Sequence, residues 1–408
     1  MRHLRNVAPA CDHFRVGRGP GSARAVERYS AAPSAKLAAG SCLRRRRRRP
    51  STSLTLSPIW SIFPAQWRQF VPNPNRGYVQ PVREELARLG IVSAGDRAFL
   101  GFSGAPRYFH PRADEDALLL SLELICWYFY FDDPFDDGEI DSAGVSGASL
   151  VERMMRVLET GGLPADPSPT ERLCQQYRTR ARCMAAGRTA PFGRFIARCQ
   201  DWVRSISPID RRSLHFQPDL AEYARLRLAN VGILPQYALN EIIGGLALDD
   251  GFVEMPEVRR FGDLAALVIA YCNDIYSYER EAERSTQLNS LEIRLAQHRL
   301  PLHQAFAEQL DDIRSMVREM EENEQALQRG GLIGRASLHE GAASLCRRRD
   351  QTRYIEDIKS LVVGNHAWSL DDGRYHSRTS PFRELRLSRT ARHRSPGKSA
   401  SLWATAGA

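Results

Sequence analysis

Apolar and polar residues alternate along most of this chain with a period near 3.6, the spacing of helices that bury one face. Residues 114–131 are apolar on nearly all sides, which predicts a helix buried all round. Residues 150–158, 171–186 and 191–206 follow the same helical spacing. Residues 220–228 run into Asn230, Val231 and Gly232, a predicted break, and the pattern resumes over 234–246 with Pro235 near its start. A long helix is predicted over 256–283, with Pro256 in its first turn. Another spans 301–327, ended by Gly330 and Gly331 as a C-cap, and a last one lies over 336–363. Runs of strict alternation bounded by turn residues are few, and no repeat period is evident. The pattern therefore predicts an all-α fold.

Charge changes the picture at the two ends. The 408 residues carry a formal net charge of +9. Residues 1–58 hold 13 Lys/Arg against 2 acids, ending in six consecutive arginines, Arg44 to Arg49. Residues 376–408 hold 7 against 1. The body, 59–375, is left with a net charge of −8, which speaks against a basic groove for nucleic acid on the folded part. Both ends are predicted to be disordered, being poor in apolar residues and rich in Arg and Ser. The N-terminal one also has the composition of an organelle transit peptide, and a disordered tail without an address is the alternative. No Met lies between Met1 and Met154, and the apolar core of a secretory signal is missing. These features favour a cytoplasmic protein, with organelle targeting by residues 1–58 the other possibility. No stretch of 18 apolar residues occurs, so no membrane span is expected. The eight Cys have neither CxxC pairs nor zinc spacing with His, and read as reduced, mostly buried thiols.

Two clusters interrupt the helical pattern. The first closes the apolar helix: Phe131, Asp132, Asp133, Pro134, Phe135, Asp136, Asp137. Four carboxylates so close repel one another unless cations neutralise them. On a helix Asp132 and Asp136 share a face at i and i+4. Carboxylates with open positions beside them suit Mg²⁺, which keeps waters and binds phosphate oxygens; an acidic solvated turn is the alternative. The second cluster follows a nearly wholly apolar run, 264–271. Asn273, Ser277 and Glu281 stand at i, i+4 and i+8, one stripe of amide oxygen, hydroxyl and carboxylate, an all-oxygen set for a hard cation.

Asp132-Asp133-x-x-Asp136 followed far downstream by Asn273-Asp274-x-x-Ser277-x-x-x-Glu281 resembles the class I terpene synthases, in their compact single-domain microbial form. Two further elements are similar. Arg227 lies 46 residues before Asn273, near the predicted break, where such enzymes carry a diphosphate-sensing Arg. Arg374–Tyr375 matches their terminal Arg-Tyr pair. The four elements occur in family order over residues 60–376.

The resemblance implies a single-domain helical bundle around a central cavity, over residues 59–375. It implies that Asp132 and Asp136 bind two Mg²⁺ ions, and that Asn273, Ser277 and Glu281 bind a third, with Mn²⁺ a possible substitute. Arg227, Arg280, Arg374 and Tyr375 would bind the diphosphate of an isoprenyl substrate, farnesyl diphosphate first among them. The product would be a cyclised terpene hydrocarbon or alcohol, and the enzyme a monomer or homodimer. Asp132, Asp136, Arg227 and Tyr375 would carry the catalysis. Arg225 replaces Arg227 if the helix register differs. Asp274 diverges from the stripe and reads as a support rather than a ligand. Trp127, Tyr128, Phe129, Phe131, Tyr271 and Trp368 are each either core or cavity wall. A prenyltransferase shares the metal-diphosphate logic, but usually shows two Asp-rich motifs. A protein binding anionic polymers through its Arg-rich ends is the reading from a different class.

Overall fold

The computed structural model describes residues 53–93, 96–137, 147–206, 218–284, 288–334, 341–371 and 373–386. The expected disorder of residues 1–52 and 387–408, and the transit-peptide reading, lie outside the described residues.

The fold is all-α. The helices used below are α1 (Glu115–Asp137), α2 (Gly147–Thr160), α3 (Pro169–Met184), α4 (Thr189–Ile206) and α5 (Leu220–Asn230). They continue with α6 (Ile233–Ile243), α7 (Pro256–Arg284), α8 (Leu302–Arg329) and α9 (Ala342–Asp371). Among the described residues no strand forms; there are two isolated bridges, Leu54–Phe382 and Ser377–Arg386. No described helix is long and apolar enough to cross a membrane.

Local chemistry sets the helix ends. Ser168 caps α3 in a reciprocal box: its hydroxyl accepts from Glu171 N, and its own N–H donates to Glu171 Oε2 at 2.7 Å. Arg153 then grips the same carboxylate at 2.8 Å and ties α2 to α3. α5 and α6 are separated by Gly232, whose φ of 74° lies in the left-handed region that only Gly adopts without strain. α7 is the central helix, packing on α8, α9 and α5. α9 in turn lies against the short helix Ala105–Phe109, so closely that Gly364 faces the Tyr108 carbonyl.

The packed body runs past both boundaries expected from sequence. Leu54 N donates to Pro381 O, and Arg383 N donates to Leu54 O, each at 3.0 Å. Leu56, Phe382 and Leu385 are buried in the core. The boundaries drawn at 58/59 and 375/376 thus fall inside a seam that joins the two ends. Composition hid it, because a few apolar residues among many basic ones anchor it. The thiols also divide: Cys126, Cys174, Cys199 and Cys272 are buried, Cys183 and Cys346 exposed, and all are free.

Two imidazoles are buried without charge. Burial holds His110 down to about 4, against its hydrogen bonds to the side-chain oxygens of Asn240 and Gln236, and holds His366 down to about 3. Above pH 6.5 neither the folded nor the unfolded imidazole is charged, and there is no effect. Between pH 6.5 and 4 the unfolded chain takes up the proton and the folded chain does not, so stability falls as pH falls. The loss is at most about 1.4 kcal/mol per pH unit for each histidine. His110→Gln, followed by urea denaturation between pH 4 and 7, is expected to show a shallower acid loss than wild type. An unchanged slope would mean that His110 is not held neutral.

Candidate active site

One cavity of about 190 Å³ opens among α1, the α5–α6 break, α7, α9 and the 373–375 turn. Nearly all the predicted site residues line it. Asp132 comes from the end of α1, Arg227 from α5, and Arg374 and Tyr375 from the turn after α9. Asn273, Ser277, Arg280 and Glu281 come from α7. Asp136 lies one turn beyond Asp132 on α1, and its side chain lies outside the described residues. Arg225 is excluded from the cavity: its side chain is 71% exposed and pairs with Glu222, whereas that of Arg227 is 14% exposed.

Arg227 is the hub. Its guanidinium donates to Asn273 Oδ1 at 3.1 Å, Asp274 Oδ1 at 3.4 Å and Asn230 Oδ1 at 3.3 Å. Burial works against its charge, but Tyr223, Asp274 and Glu281 outweigh that and hold its pKa above the ordinary range. Asn273 links the hub to the turn, donating from Nδ2 to Tyr375 Oη at 2.8 Å. Tyr375 is buried, and burial raises its pKa, so the phenol keeps its proton. Asp274 is fully buried and accepts from Tyr223 Oη and from Ser290. It supports Arg227 and does not line the cavity.

The donor set fits a hard divalent cation. Among the described residues no three His, Cys, Asp or Glu side chains form a ready metal cage. That is consistent with this set, which pairs one carboxylate with an amide and a hydroxyl. Burial pushes the Glu281 carboxyl up to about 7, with Asp274 adding to the shift and Arg227 opposing it. A cation beside it would relieve that penalty.

Much of the rest of the wall is apolar and aromatic, with Phe109, Ile125, Tyr128, Trp202, Ile269 and Trp368, and Asn230, Gln236 and Asn365 add polar groups to it. Of the aromatic candidates, Tyr128, Phe129 and Trp368 line the cavity. Trp127 and Phe131 do not; they stack on each other in the core at 5.9 Å. Tyr271 packs edge-on against Tyr223 instead. One face of Phe129 is taken by Arg374, whose guanidinium lies 3.9 Å from the ring centre. Sequence reasoning missed Phe109 and Trp202. They lie on helices without a motif, and only helix packing brings them to the wall. Trp202 Nε1 donates to Asn230 O at 3.1 Å, so it also clamps the end of α5.

Comparison with known proteins shows the family and the fold. The family model described as terpene synthase family 2, C-terminal metal binding, matches residues 123–319. Terpene synthase 1 of Acytostelium subglobosum is 30% identical over 346 residues, 83% of this chain and 100% of the relative. Terpene synthase 1 of Dictyostelium purpureum is 29% identical over 340 residues, 82% of this chain and 86% of the relative. Among solved structures, linalool/nerolidol synthase from Streptomyces clavuligerus, in complex with 2-fluorogeranyl diphosphate, superposes with a TM-score of 0.62. It is 18% identical, and the match covers 74% of this chain and 96% of that one. Germacradien-4-ol synthase from Streptomyces citricolor gives 0.60 at 18% identity, covering 74% and 95%. At these identities the structural likeness speaks for the fold, and the sequence relatives carry the assignment: this chain belongs to the terpene synthase family.

Proposed function

We propose that the protein is a Mg²⁺-dependent terpene synthase, a carbon–oxygen lyase that ionises an isoprenyl diphosphate, farnesyl diphosphate by preference. It cyclises the resulting cation to a terpene hydrocarbon or alcohol and releases diphosphate. The observation that carries this reading is the meeting of two acidic arms, three arginines and Tyr375 on one cavity whose remaining wall is largely apolar and aromatic.

Asp132 and Asp136 on one side, and Asn273, Ser277 and Glu281 on the other, would hold the divalent ions, which neutralise the charge of the leaving diphosphate. The chain's own part follows from its donors. As the allylic C–O bond breaks, both electrons leave with the diphosphate oxygen. Arg227, Arg280 and Arg374 stabilise that growing charge through charge-assisted hydrogen bonds. Tyr375 already accepts from Asn273, which leaves its own proton to donate to the same group. The carbocation left behind needs a wall that cannot attack it and excludes water. Tyr128, Trp202 and Trp368 bring aromatic rings to the wall that can steady it.

The test is to incubate the full chain with Mg²⁺ and geranyl, farnesyl or geranylgeranyl diphosphate and to analyse the volatiles. A cyclic product from farnesyl diphosphate, lost on chelation of the metal, is expected. Absence of any terpene from all three substrates would overturn the reading. A longer prenyl diphosphate made from an allylic substrate plus isopentenyl diphosphate would favour the prenyltransferase alternative.

A further inference from the structure

Two adjacent residues outside every motif stand behind the acidic stripe. Asn289 and Ser290 are both fully buried, at 0% exposure. Asn289 caps the helix Ser290–Gln297: its side-chain oxygen accepts from Leu291 N at 2.9 Å and from Glu292 N. The cap fixes which way the amide faces, because its oxygen is committed to the helix. The nitrogen is thereby directed to two acceptors, Asp274 O at 2.9 Å and Glu281 Oε2 at 2.7 Å. Ser290 holds the neighbouring acid. Its N–H and its hydroxyl donate to Asp274 Oδ2 at 2.7 and 2.6 Å. Asp274 Oδ1 in turn faces Arg227 at 3.4 Å.

We propose that Asn289 and Ser290 form a positioning post for the site. Asn289 orients the Glu281 carboxylate toward the divalent cation, and Ser290, through Asp274, orients the Arg227 guanidinium toward the diphosphate. The inference rests on the terpene synthase reading above and extends it to two residues outside the motif stripe.

The physical need is clear. Glu281 is a long side chain that shares the cavity wall with Arg227. Untethered, it can turn from the cation toward that arginine. With one oxygen held by the Asn289 amide, the carboxylate keeps one orientation, toward the cation. Arg227 has the converse need. Its charge must stay in place before the diphosphate arrives, and a carboxylate pinned by two donors keeps it there. Because the two anchors are consecutive residues at one helix start, the metal side and the diphosphate side are set in register with each other. Hydrogen-bond partners of metal ligands typically contribute about 10–100-fold in metal affinity.

The test uses the full chain and Mn²⁺ as the probe, followed by electron paramagnetic resonance in the presence of inorganic diphosphate. Asn289→Asp keeps the shape and the capping oxygen but turns the donor facing Glu281 into an acceptor. It is expected to weaken Mn²⁺ binding about 10–100-fold. The Mg²⁺ concentration for half-maximal turnover should rise in parallel, with kcat returning to within a few-fold of wild type at saturating Mg²⁺. Ser290→Ala is expected to weaken inorganic diphosphate binding by calorimetry roughly tenfold, as loss of one charge-assisted hydrogen bond would. Asn289→Ser, which keeps a capping oxygen but is too short to reach Glu281, serves if the Asp variant does not fold. Wild-type Mn²⁺ affinity in Asn289→Asp or wild-type diphosphate affinity in Ser290→Ala would overturn the post, as would a loss of turnover in Asn289→Asp that high Mg²⁺ does not restore. If wild type itself binds neither probe, the reading of the site fails, and the post with it.

Discussion

Asn273→Ala is expected to abolish terpene formation, lowering kcat/KM by about 10³-fold or more, while the fold survives. Supporting partners of a metal ligand already contribute about 10–100-fold, and loss of the ligand itself costs more. Asn273 has a double share in the site. Its oxygen accepts from Arg227, and its nitrogen donates to Tyr375, so the change also disconnects two of the proposed diphosphate donors. Its place at the cavity wall, and not in the packed core, limits the stability cost to about 1–3 kcal/mol from the partners left unpaired. Product formation at saturating Mg²⁺, with circular dichroism to confirm the fold, measures both. Asn273→Asp keeps an oxygen for the cation and should lose less. Turnover at the wild-type rate in Asn273→Ala would move the cation off this stripe.

Gly364→Ala is expected to produce the largest loss of stability from a single methyl group. A Cβ at position 364 would lie 2.0 Å from Tyr108 O and 2.7 Å from Tyr108 C. Both are backbone atoms of the short helix against which α9 packs, so no side-chain rotation makes room. Relief requires the two helices to separate, with Phe109 and Trp368 beside them on the cavity wall. Overpacking typically costs about 1–3 kcal/mol, and a clash with backbone belongs at the upper end. For a body of this size that corresponds to a fall in Tm of roughly 3–5 °C. Gly193→Ala is the matched control: it lies in α4 with nothing near its Cβ position, and should gain about 0.5–1 kcal/mol. Differential scanning fluorimetry of the pair separates a close approach of helices from a general preference for glycine. Equal Tm values for Gly364→Ala and wild type would show that the helices are not so tightly apposed.

The prediction at Gly364 could not have come from sequence. The sequence pattern ended the last helix at residue 363, whereas α9 runs on to Asp371, and what makes the glycine necessary is a partner helix some 250 residues away in the chain. The same limit appears at the body's ends. Leu54 and Phe382 carry no local signal of order, and their pairing depends on contact across the whole chain.

The chemistry was more legible. Asp132, Asn273, Ser277 and Glu281, the proposed cation ligands, stand out because ligands on a helix must recur at helical spacing to share a face, and that spacing is written in the chain. The choice of Arg227 over Arg225 was not written there. Both lie on α5, and only the packing of α5 against α7 buries one among Asn273 and Asp274 and leaves the other in solvent. Likewise Trp127 and Tyr128 are neighbours on an all-apolar helix, and tertiary packing alone sends one to the core and the other to the cavity. By itself the sequence determined the helical fold, the order of the motifs and the kind of ligands they offer, since these depend on local periodicity and residue chemistry. The tertiary structure alone decided which arginine and which aromatics face the cavity, and that Asn289 and Ser290 stand behind it. Those outcomes depend on which helices meet, and no local periodicity encodes that.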